Sequence, residues 1–202
     1  MPVPLKQALK IGSYVMRQKL KGRERYPLVL MLEPLFRCNL ECIGCGKIQK
    51  PNEILNKNLT VDQCLNAAKE CGAPVVSIAG GEPLMHPQIV EIVEGLVKQK
   101  RYIYLCTNAL LLKNFFGKLS KSPFLTLSIH LDGLEKDHDR IVDKKGVFKI
   151  AVEAAREAKK AGYRVTNATT FFEGTTVQQA ETFLDFLNPL GLDGVTLSSA
   201  FR

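Results

Sequence analysis

The sequence predicts an α/β fold in which six β-strands alternate with helices and build one parallel sheet. Three observations support this prediction. The length of 202 residues suits a single domain. Apolar residues make up 46% of the chain, enough for a sizeable core. Six apolar runs typical of buried strands alternate with helical segments, the pattern of parallel sheets with right-handed crossovers. Such a sheet could close into a partial barrel or lie open as a doubly wound sheet.

Each predicted strand is a short apolar run bounded by residues that favour turns. The six runs are residues 26–36, 73–81, 102–108, 124–133, 163–172 and 194–199. The segments between them show helical spacing, and Thr60, Gly72 and Gly162 are typical residues for starting or ending a helix. The predicted helices are residues 60–72, 86–100, 109–120, 147–162 and 176–191.

Residues 1–25 form a basic segment ahead of a core domain predicted over residues 26–202. Seven side chains of this segment are cationic and one is anionic, which accounts for most of the net charge of +8. Four apolar residues fall near one helical face: Leu5, Leu9, Met16 and Leu20. Such a segment could lie on an anionic membrane surface or bind nucleic acid. It could equally be a surface helix whose apolar side packs on the domain.

The sequence shows no signal peptide, because Lys6 and Lys10 interrupt the first apolar stretch, and no run long enough to span a membrane. We therefore expect a cytoplasmic protein whose clustered cysteines are metal ligands or catalytic thiols rather than disulfides. The chain stops at Arg202, directly after the sixth predicted strand. Strands of parallel sheets are covered on both faces. We therefore expect a C-terminal region that is cut short or that a partner covers.

Three cysteines in the stretch FRCNLECIGCGK, namely Cys38, Cys42 and Cys45, have the spacing C-x-x-x-C-x-x-C. A structural zinc site would need a fourth protein ligand, and no second C-x-x-C motif supplies one. A [4Fe–4S] cluster usually takes four thiolates. With three, one iron is left for another ligand, and an amino acid that chelates through its amine and carboxylate would suit it. A zinc site stays as an alternative.

Further polar residues follow the other predicted strands, where ligands collect in parallel α/β folds. The motif GGEP begins at Gly80 and follows the second strand. Gly80 and Gly81 would permit close approach of a ligand to the backbone, and Glu82 could accept a hydrogen bond from the amine of an amino acid. Cys106 and Asn108 end the third strand. His130 and Asp132 end the fourth strand, and Ser198 and Ser199 end the sixth.

The cysteine loop and the GGEP motif together resemble the signature of the radical S-adenosylmethionine superfamily. The resemblance implies a radical-SAM partial (β/α)6 barrel in which Cys38, Cys42 and Cys45 bind a [4Fe–4S] cluster. S-adenosylmethionine would chelate the fourth iron, and electron transfer from the reduced cluster would yield a 5′-deoxyadenosyl radical. The residues implied to contact this cofactor are Gly80, Gly81, Glu82 and Ser128, with Asn108, Asn167 and Ser198 as weaker candidates. Many members carry an aromatic residue just before the third cysteine, where this chain has Gly44.

Longer strings resemble one branch of the superfamily, the adenosyl-hopene transferases of hopanoid biosynthesis. These strings are YPLVLMLEPLFRCNLECIGCGKI, ECGAPVVSIAGGEPLMH, YLCTNALL and SIHLDG. The resemblance implies addition of the 5′-deoxyadenosyl radical to the exocyclic alkene of diploptene, a lipid, to give adenosylhopane. The addition leaves a carbon radical that needs a hydrogen atom. Cys106 is the predicted donor, because a thiol gives up hydrogen readily and Cys106 ends the third strand.

The resemblance also implies partners. The cluster would take its electron from a one-electron reductant such as ferredoxin or flavodoxin. Because diploptene resides in membranes, the basic segment is interpreted as a peripheral contact with the inner face of the membrane, and nucleic-acid binding is not expected. Two alternatives stay open: another radical S-adenosylmethionine activity such as peptide maturation, and a truncated cluster-binding module without turnover.

Several remaining residues receive structural interpretations. His86 is predicted to cap a helix or lie in a loop, and His138 is predicted to face solvent. His130 is a weaker candidate for lining the site. Asp132 could bind ribose or make a turn with the glycine that follows it. Two further cysteines, Cys64 and Cys71, are predicted to pack within a helix.

Overall fold

The fold is that of a computed structural model, described over residues 3–200. Its strands are β1 Val29–Leu32, β2 Val75–Ile78, β3 Tyr102–Thr107, β4 Leu125–His130, β5 Arg164–Phe171 and β6 Val195–Ser199. Its α-helices are α1 Leu5–Leu20, α2 Asn52–Leu55, α3 Val61–Cys71, α4 Ile89–Lys98, α5 Glu135–Ile141, α6 Val147–Lys160 and α7 Val177–Leu187. Short 3₁₀ helices lie at Pro83–Met85, Leu112–Phe115 and Asn188–Leu190.

The six strands form one parallel sheet whose spatial order is the same as their order in the chain. When every crossover is right-handed and the order never reverses, all connecting helices lie on the same face of the sheet. The sheet therefore curls into a half-barrel. A doubly wound sheet would need a point where the strand order reverses, so the predicted partial barrel is confirmed.

The helix-facing side of the sheet carries the main apolar core. Ile78, Leu105 and Leu127 are fully buried there at neighbouring positions of successive strands. The helices present small or branched residues at helical spacing, which allows them to lie close to the sheet. In α4 and α6 these buried residues are Ile92, Val93, Leu96, Ala151, Ala154, Ala155 and Ala158. Cys64 of α3 is a fully buried member of this core, whereas Cys71 at the end of α3 is partly exposed.

The opposite, inner face of the sheet is polar. Cys106, Ser128 and Thr166 are in register across β3, β4 and β5, and because side chains alternate along a strand they share this face. Helix α1 lies at the amino-terminal ends of these strands, where Gln7 donates a hydrogen bond of 3.2 Å to the hydroxyl of Tyr104. The carboxyl ends of the strands are therefore the ends left for a site.

The structure differs from the predicted elements in four places. The first strand has four residues instead of the eleven of 26–36, because the chain then turns into the cysteine loop. The helix predicted over 109–120 is only the 3₁₀ turn Leu112–Phe115, and Gly117 follows it with a φ of +82°, a left-handed conformation that stops a helix. Helices α2 and α5 were not predicted.

Two expectations about the surface have structural counterparts. The first expectation was a C-terminal region that is cut short or that a partner covers. Strand β6 is exposed along its whole length, and the end of the chain at residue 202 lies outside the described residues. Within residues 3–200, no helix is both long and apolar enough to cross a membrane.

Candidate active site

The cysteine loop lies directly on the GGEP motif that follows β2. Gly81 N–H donates to the carbonyl of Leu35 at 3.1 Å, and Glu82 N–H donates to the carbonyl of Arg37 at 2.8 Å. A Cβ atom at Gly81 would lie 1.9 Å from the Arg37 carbonyl oxygen, and one at Gly80 would lie 2.2 Å from that of Leu35. The two glycines therefore permit a close backbone approach, but the backbone that approaches is that of the cysteine loop. Their contact with S-adenosylmethionine stays a prediction.

The three cysteines line one cavity of about 310 Å³ at the carboxyl ends of β1 to β5. The cavity brings together most of the residues predicted from the sequence. Its lining includes Cys38, Cys42, Cys45, Gly80, Gly81, Glu82, Cys106, Asn108, His130 and Asp132. Residues far apart in the chain thus meet at one site, as expected for loops at the carboxyl edge of a parallel sheet.

A second, smaller apolar cluster positions the cysteine loop. Leu40 is buried against Val142 and Val147, which lie at the end of α5 and the start of α6. The N–H of Ile43 also donates to the carbonyl of Ile141 at 2.8 Å. Helix α5, which the sequence did not predict, therefore supports the loop. Gly44 has a φ of +75°, a conformation that favours glycine, so an aromatic residue at this position would be strained.

Glu82 is buried, and its carboxylate is occupied by donors from the chain itself. Oε1 accepts from the N–H of Leu84 at 3.0 Å and from the hydroxyl of Thr107 at 2.8 Å, while Oε2 accepts from the N–H of Asn108 at 2.8 Å. Burial raises the pKa of Glu82, and these hydrogen bonds oppose the rise. The carboxylate thus fixes the end of β3 to the GGEP turn. The predicted hydrogen bond to a cofactor amine would be additional to this role.

Asn108 connects the end of β3 to the cysteine loop. Its side-chain amide donates to Oδ1 of Asn39 at 2.7 Å and lies 3.8 Å from Sγ of Cys38. The N–H of Asn108 also donates to Glu82, so Asn108 links the GGEP turn to the part of the loop that holds the first cysteine. This network was not predictable from either motif alone, since its members are far apart in sequence.

The thiols of Cys38 and Cys42 hold their protons firmly. Burial raises the pKa of Cys38, and burial together with the neighbouring Cys38 and Cys45 raises the pKa of Cys42 to about 12. Thiol ligands lose their protons when a metal binds. Within residues 3–200, no three His, Cys, Asp or Glu side chains are close enough to share one metal ion. A cubane cluster does not require this, because each of its thiolates binds a different iron. Three thiols around one cavity therefore fit such a cluster.

Cys106 lines the same cavity from the inner face of β3. Its Sγ lies 3.5 Å from the hydroxyl of Ser77 and 3.9 Å from the carbonyl of Tyr104. Burial raises the pKa of Cys106 against hydrogen bonds from Ser77 and Ser128, which lower it. At neutral pH the sulfur is therefore present as S–H, the form that can donate a hydrogen atom.

The three remaining predicted contact residues lie at different depths. Ser128 is buried beside Cys106 on the inner face. Ser198 is exposed on β6, 3.2 Å from the hydroxyl of Thr170, which lines the cavity. Asn167 is fully buried on the helix-facing side, where it donates to the carbonyl of Ile129 at 3.2 Å. The structure thus brings Ser128 and Ser198 near the cavity and turns Asn167 away from it.

The side chains of His130 and Asp132 are in contact at the cavity wall. Nε2 of His130 lies 2.5 Å from Oδ2 of Asp132, and Oδ1 of Asp132 accepts from the N–H of Thr170 at 2.6 Å. Asp132 therefore ties the end of β4 to β5. Gly133 follows it with a φ of +88°, which agrees with the predicted turn.

The prediction for His138 was wrong. It is 1% exposed, in α5, and its Nδ1 accepts from the N–H of Asp132 at 3.1 Å. Burial, assisted by the neighbouring His130, lowers the pKa of His138 to about 4. Of the two predicted roles for His86, cap or loop residue, the structure shows the second: His86 lies in the loop before α4, where its Nδ1 accepts from the N–H of Gln88 at 3.1 Å.

Comparison with protein families places this site in a known group. A family model described as the radical SAM superfamily matches residues 32–187, which include all three cysteines and the GGEP motif. The chain belongs to the radical S-adenosylmethionine superfamily. The cofactors of this superfamily are a [4Fe–4S] cluster and S-adenosylmethionine, and the three-cysteine cavity fits both.

Curated relatives of this chain include GTP 3′,8-cyclases, and these matches do not support the branch of adenosyl-hopene transferases. A probable GTP 3′,8-cyclase of Methanococcus maripaludis (strain C5) is 26% identical over 174 residues, 84% of this chain and 57% of the relative. The GTP 3′,8-cyclase of Thermodesulfovibrio yellowstonii is 30% identical over 140 residues, 66% of this chain and 44% of the relative. This chain therefore spans about half the length of these curated relatives.

Solved structures of the superfamily share the fold. The crystal structure of Streptococcus suis SuiB bound to S-adenosylmethionine matches with a TM-score of 0.76 and 22% identity, over 94% of this chain and 44% of SuiB. At this identity the match establishes the partial barrel of the radical S-adenosylmethionine fold.

Proposed function

We propose that the chain forms a carbon–carbon bond between a 5′-deoxyadenosyl radical and the exocyclic alkene of diploptene, which gives adenosylhopane. The observation that carries this proposal is the thiol of Cys106, which shares one cavity with the three cluster cysteines. The long strings around the cysteine loop and GGEP, which resemble adenosyl-hopene transferases, support the choice of substrate.

The residues of the cavity have distinct proposed roles. Cys38, Cys42 and Cys45 would hold the cluster, and S-adenosylmethionine would take the iron that they leave free. When bound, these groups supply the 5′-deoxyadenosyl radical. Glu82 and Asn108 position the cysteine loop through the hydrogen bonds described above. Ser128, the predicted ribose contact, lies on the same inner face.

Cys106 is proposed to complete the reaction. The new bond joins the 5′ carbon to the terminal carbon of the alkene and leaves an unpaired electron on the tertiary carbon. Cys106 S–H gives a hydrogen atom to that carbon and becomes a thiyl radical. One electron from a reductant such as ferredoxin or flavodoxin, together with one proton, restores the thiol. The raised pKa of Cys106 supports this role, because a thiolate has no hydrogen atom to give.

The test is an anaerobic assay with reconstituted, reduced protein, S-adenosylmethionine and diploptene, in which products are identified by mass spectrometry. Wild type is expected to form adenosylhopane. Cys106→Ala is expected to consume S-adenosylmethionine yet lose the saturated product. Cys71→Ala is the matched control, since Cys71 is a partly exposed cysteine at the end of α3, and it should keep the product.

Two results would contradict the proposal in different ways. If Cys106→Ala formed adenosylhopane at the wild-type rate, Cys106 would not be the hydrogen-atom donor, but diploptene would still be the substrate. If wild type cleaved S-adenosylmethionine without forming any hopane product, diploptene would not be the substrate, but the protein would still perform radical chemistry.

A second candidate, another radical reaction on a polar substrate, is favoured by the comparisons, since the curated relatives include GTP 3′,8-cyclases. One structural observation also supports it. A neighbouring cavity of about 260 Å³ shares Asp132, Ile141 and Thr170 with the cluster cavity, and its lining includes Asp137 and Arg140. GTP and a peptide substrate in the same assay test this candidate. Peptide maturation is included because structures of SuiB share the fold.

The remaining alternative is a cluster-binding module without turnover. It predicts an intact cluster but no 5′-deoxyadenosine from reduced protein. Brown colour and absorption near about 400 nm, as iron–thiolate ligation gives, distinguish the cluster from a zinc site.

A further inference from the structure

Helix α1 exposes an apolar stripe that points away from the protein. Leu5, Leu9, Met16 and Leu20 recur at helical spacing and are 61–80% exposed. The sequence left open the possibility that this face packs on the domain. In the structure the opposite face does so.

Gln7 and Lys10 make side-chain contacts between α1 and the sheet. Ile11 and Tyr14 share this helical face with Gln7 and are half-buried. Gln7 is buried and donates to the hydroxyl of Tyr104. Lys10 lies over the rings of Tyr102 and Phe124, with Nζ 5.5 Å and 5.3 Å from their centroids. An amphipathic surface helix normally turns its apolar side to the core. In α1 a second apolar stripe is exposed instead, and it is left for a ligand outside the fold.

Cations border the apolar stripe on both sides. On a helical projection Lys6 and Arg17 flank one edge and Lys19 the other, and α1 has no acidic residue. Three more cations, Lys21, Arg23 and Arg25, follow it with Glu24 as the single anion. A central apolar stripe between cationic edges is the pattern of helices that lie in the plane of a membrane interface.

We propose that α1 docks the chain on an anionic lipid surface, with the apolar stripe at the boundary between headgroups and acyl chains. Anionic lipids attract each cation close to the surface. A second copy of the chain would bring the same cations against one another, which opposes self-association through this face. The proposal does not depend on which substrate the cavity accepts.

The test compares co-sedimentation of the full chain with two kinds of vesicle. One kind is phosphatidylcholine alone, and the other is phosphatidylcholine mixed with phosphatidylglycerol. Binding is expected to the mixed vesicles, and added salt should weaken it because salt screens exposed charges.

Variants separate the apolar and the cationic contributions. Leu9→Glu and Met16→Glu should each lower partition into mixed vesicles at least about tenfold, since each replaces a membrane-buried apolar group by a charge. Arg17→Gln should lower it about fivefold, the effect of one cation near the surface. Val177→Glu is the matched control, because Val177 is 75% exposed on α7, and it should bind as wild type. Circular dichroism checks that each variant folds.

Three outcomes would overturn the proposal. Equal binding by folded Leu9→Glu and wild type would exclude the apolar stripe, and equal binding to both vesicle types would exclude the preference for anionic lipid. A wild-type chain that binds neither vesicle, yet forms a dimer that Leu9→Glu dissociates, would identify a second copy as the occupant.

Discussion

At the scale of single residues, Glu82 shows how a motif residue can act through the chain rather than through a ligand. Its carboxylate accepts three hydrogen bonds that join the GGEP turn to the end of β3. The sequence predicted that Glu82 belongs to the site, because the motif is local. It could not predict the partners Thr107 and Asn108, which approach only when the parallel sheet has formed.

Glu82→Gln is expected to destabilise the protein by about 2–3 kcal/mol, because an NH₂ group would replace an oxygen that accepts a buried hydrogen bond. Urea unfolding of the cluster-free protein measures this change. Glu94→Gln is the matched control: Glu94 also accepts from a backbone N–H, that of Ser120, but at the exposed surface. Its cost should stay within about 0.5 kcal/mol. Equal losses in the two variants would contradict the role given to Glu82.

His138 makes folding sensitive to acid. Its pKa falls from 6.5 to about 4 in the folded chain, so the unfolded chain takes up a proton at higher pH than the folded chain. The stability that depends on neutral His138 is therefore complete above pH 6.5 and is lost as pH falls towards 4. Between neutral pH and about pH 5 the loss should be about 2 kcal/mol.

The measurement is urea unfolding at both pH values for wild type and His138→Asn. The Asn side chain can still accept the hydrogen bond from Asp132 N–H but does not titrate. The variant should therefore lose about 2 kcal/mol less than wild type on acidification. Parallel losses would show that another group carries the acid sensitivity. The burial of His138 could not be predicted from the sequence, because its neighbours in the chain are charged and only one side of α5 is buried.

At the scale of elements, the contact between the cysteine loop and the GGEP turn depends on the absence of a side chain. Gly81→Ala should prevent the loop from lying on β2, because its Cβ would meet backbone atoms of Arg37 and Phe36, which cannot move aside as a flexible side chain can. We expect the variant to lose most of its iron and sulfide after reconstitution.

Gly46→Ala is the matched control for this prediction. Gly46 lies in the same loop, has no atom within 4 Å of the position that a Cβ would take, and does not have a positive φ. It should reconstitute as wild type. Full iron content in folded Gly81→Ala would contradict the proposed packing. Iron analysis and visible absorption provide the measurement.

The elements themselves were predictable to unequal degrees. All six strands were found from their apolar runs. In β2 to β5 these residues fill the buried helix-facing side of the sheet, whereas β6 has the apolar run although it is exposed along its whole length. The helix predicted over 109–120 failed, since an apolar run alone does not distinguish a helix from a packed 3₁₀ turn. The sequence also could not show which face of α1 packs on the sheet, because an amphipathic pattern alone does not identify the face that contacts the protein.

At the scale of the whole molecule, stability is divided between a packed sheet and a cysteine loop that is held by hydrogen bonds and one small apolar cluster. The loop is closed at its base by the bridge between Leu35 and Asn58, and by the N–H of Leu59 bonded to the carbonyl of Pro34. Strands β3 and β4, by contrast, have fully buried positions along the core. The cluster should therefore order the loop far more than the sheet.

Hydrogen exchange measured by mass spectrometry, with and without the cluster under anaerobic conditions, tests this division. Amides of residues 38–50 are expected to gain protection when the cluster is present. Amides of β3 and β4 should exchange at nearly the same rate in both states. Similar gains in the sheet and the loop would instead indicate that the cluster stabilises the domain as one cooperative unit.

Helix α1 and the cavity lie at opposite ends of β3, so the chain can bind one partner at α1 and another at the cavity at the same time. Lys10 contacts the start of the strand at Tyr102, whereas Asn108 and the cysteine loop lie beyond its end. Six strand residues separate the two ends by about 20 Å. A large body held against α1 would therefore leave the cavity mouth clear. An electron-carrying protein could therefore bind at the opening of the cavity while α1 remains bound to its own ligand.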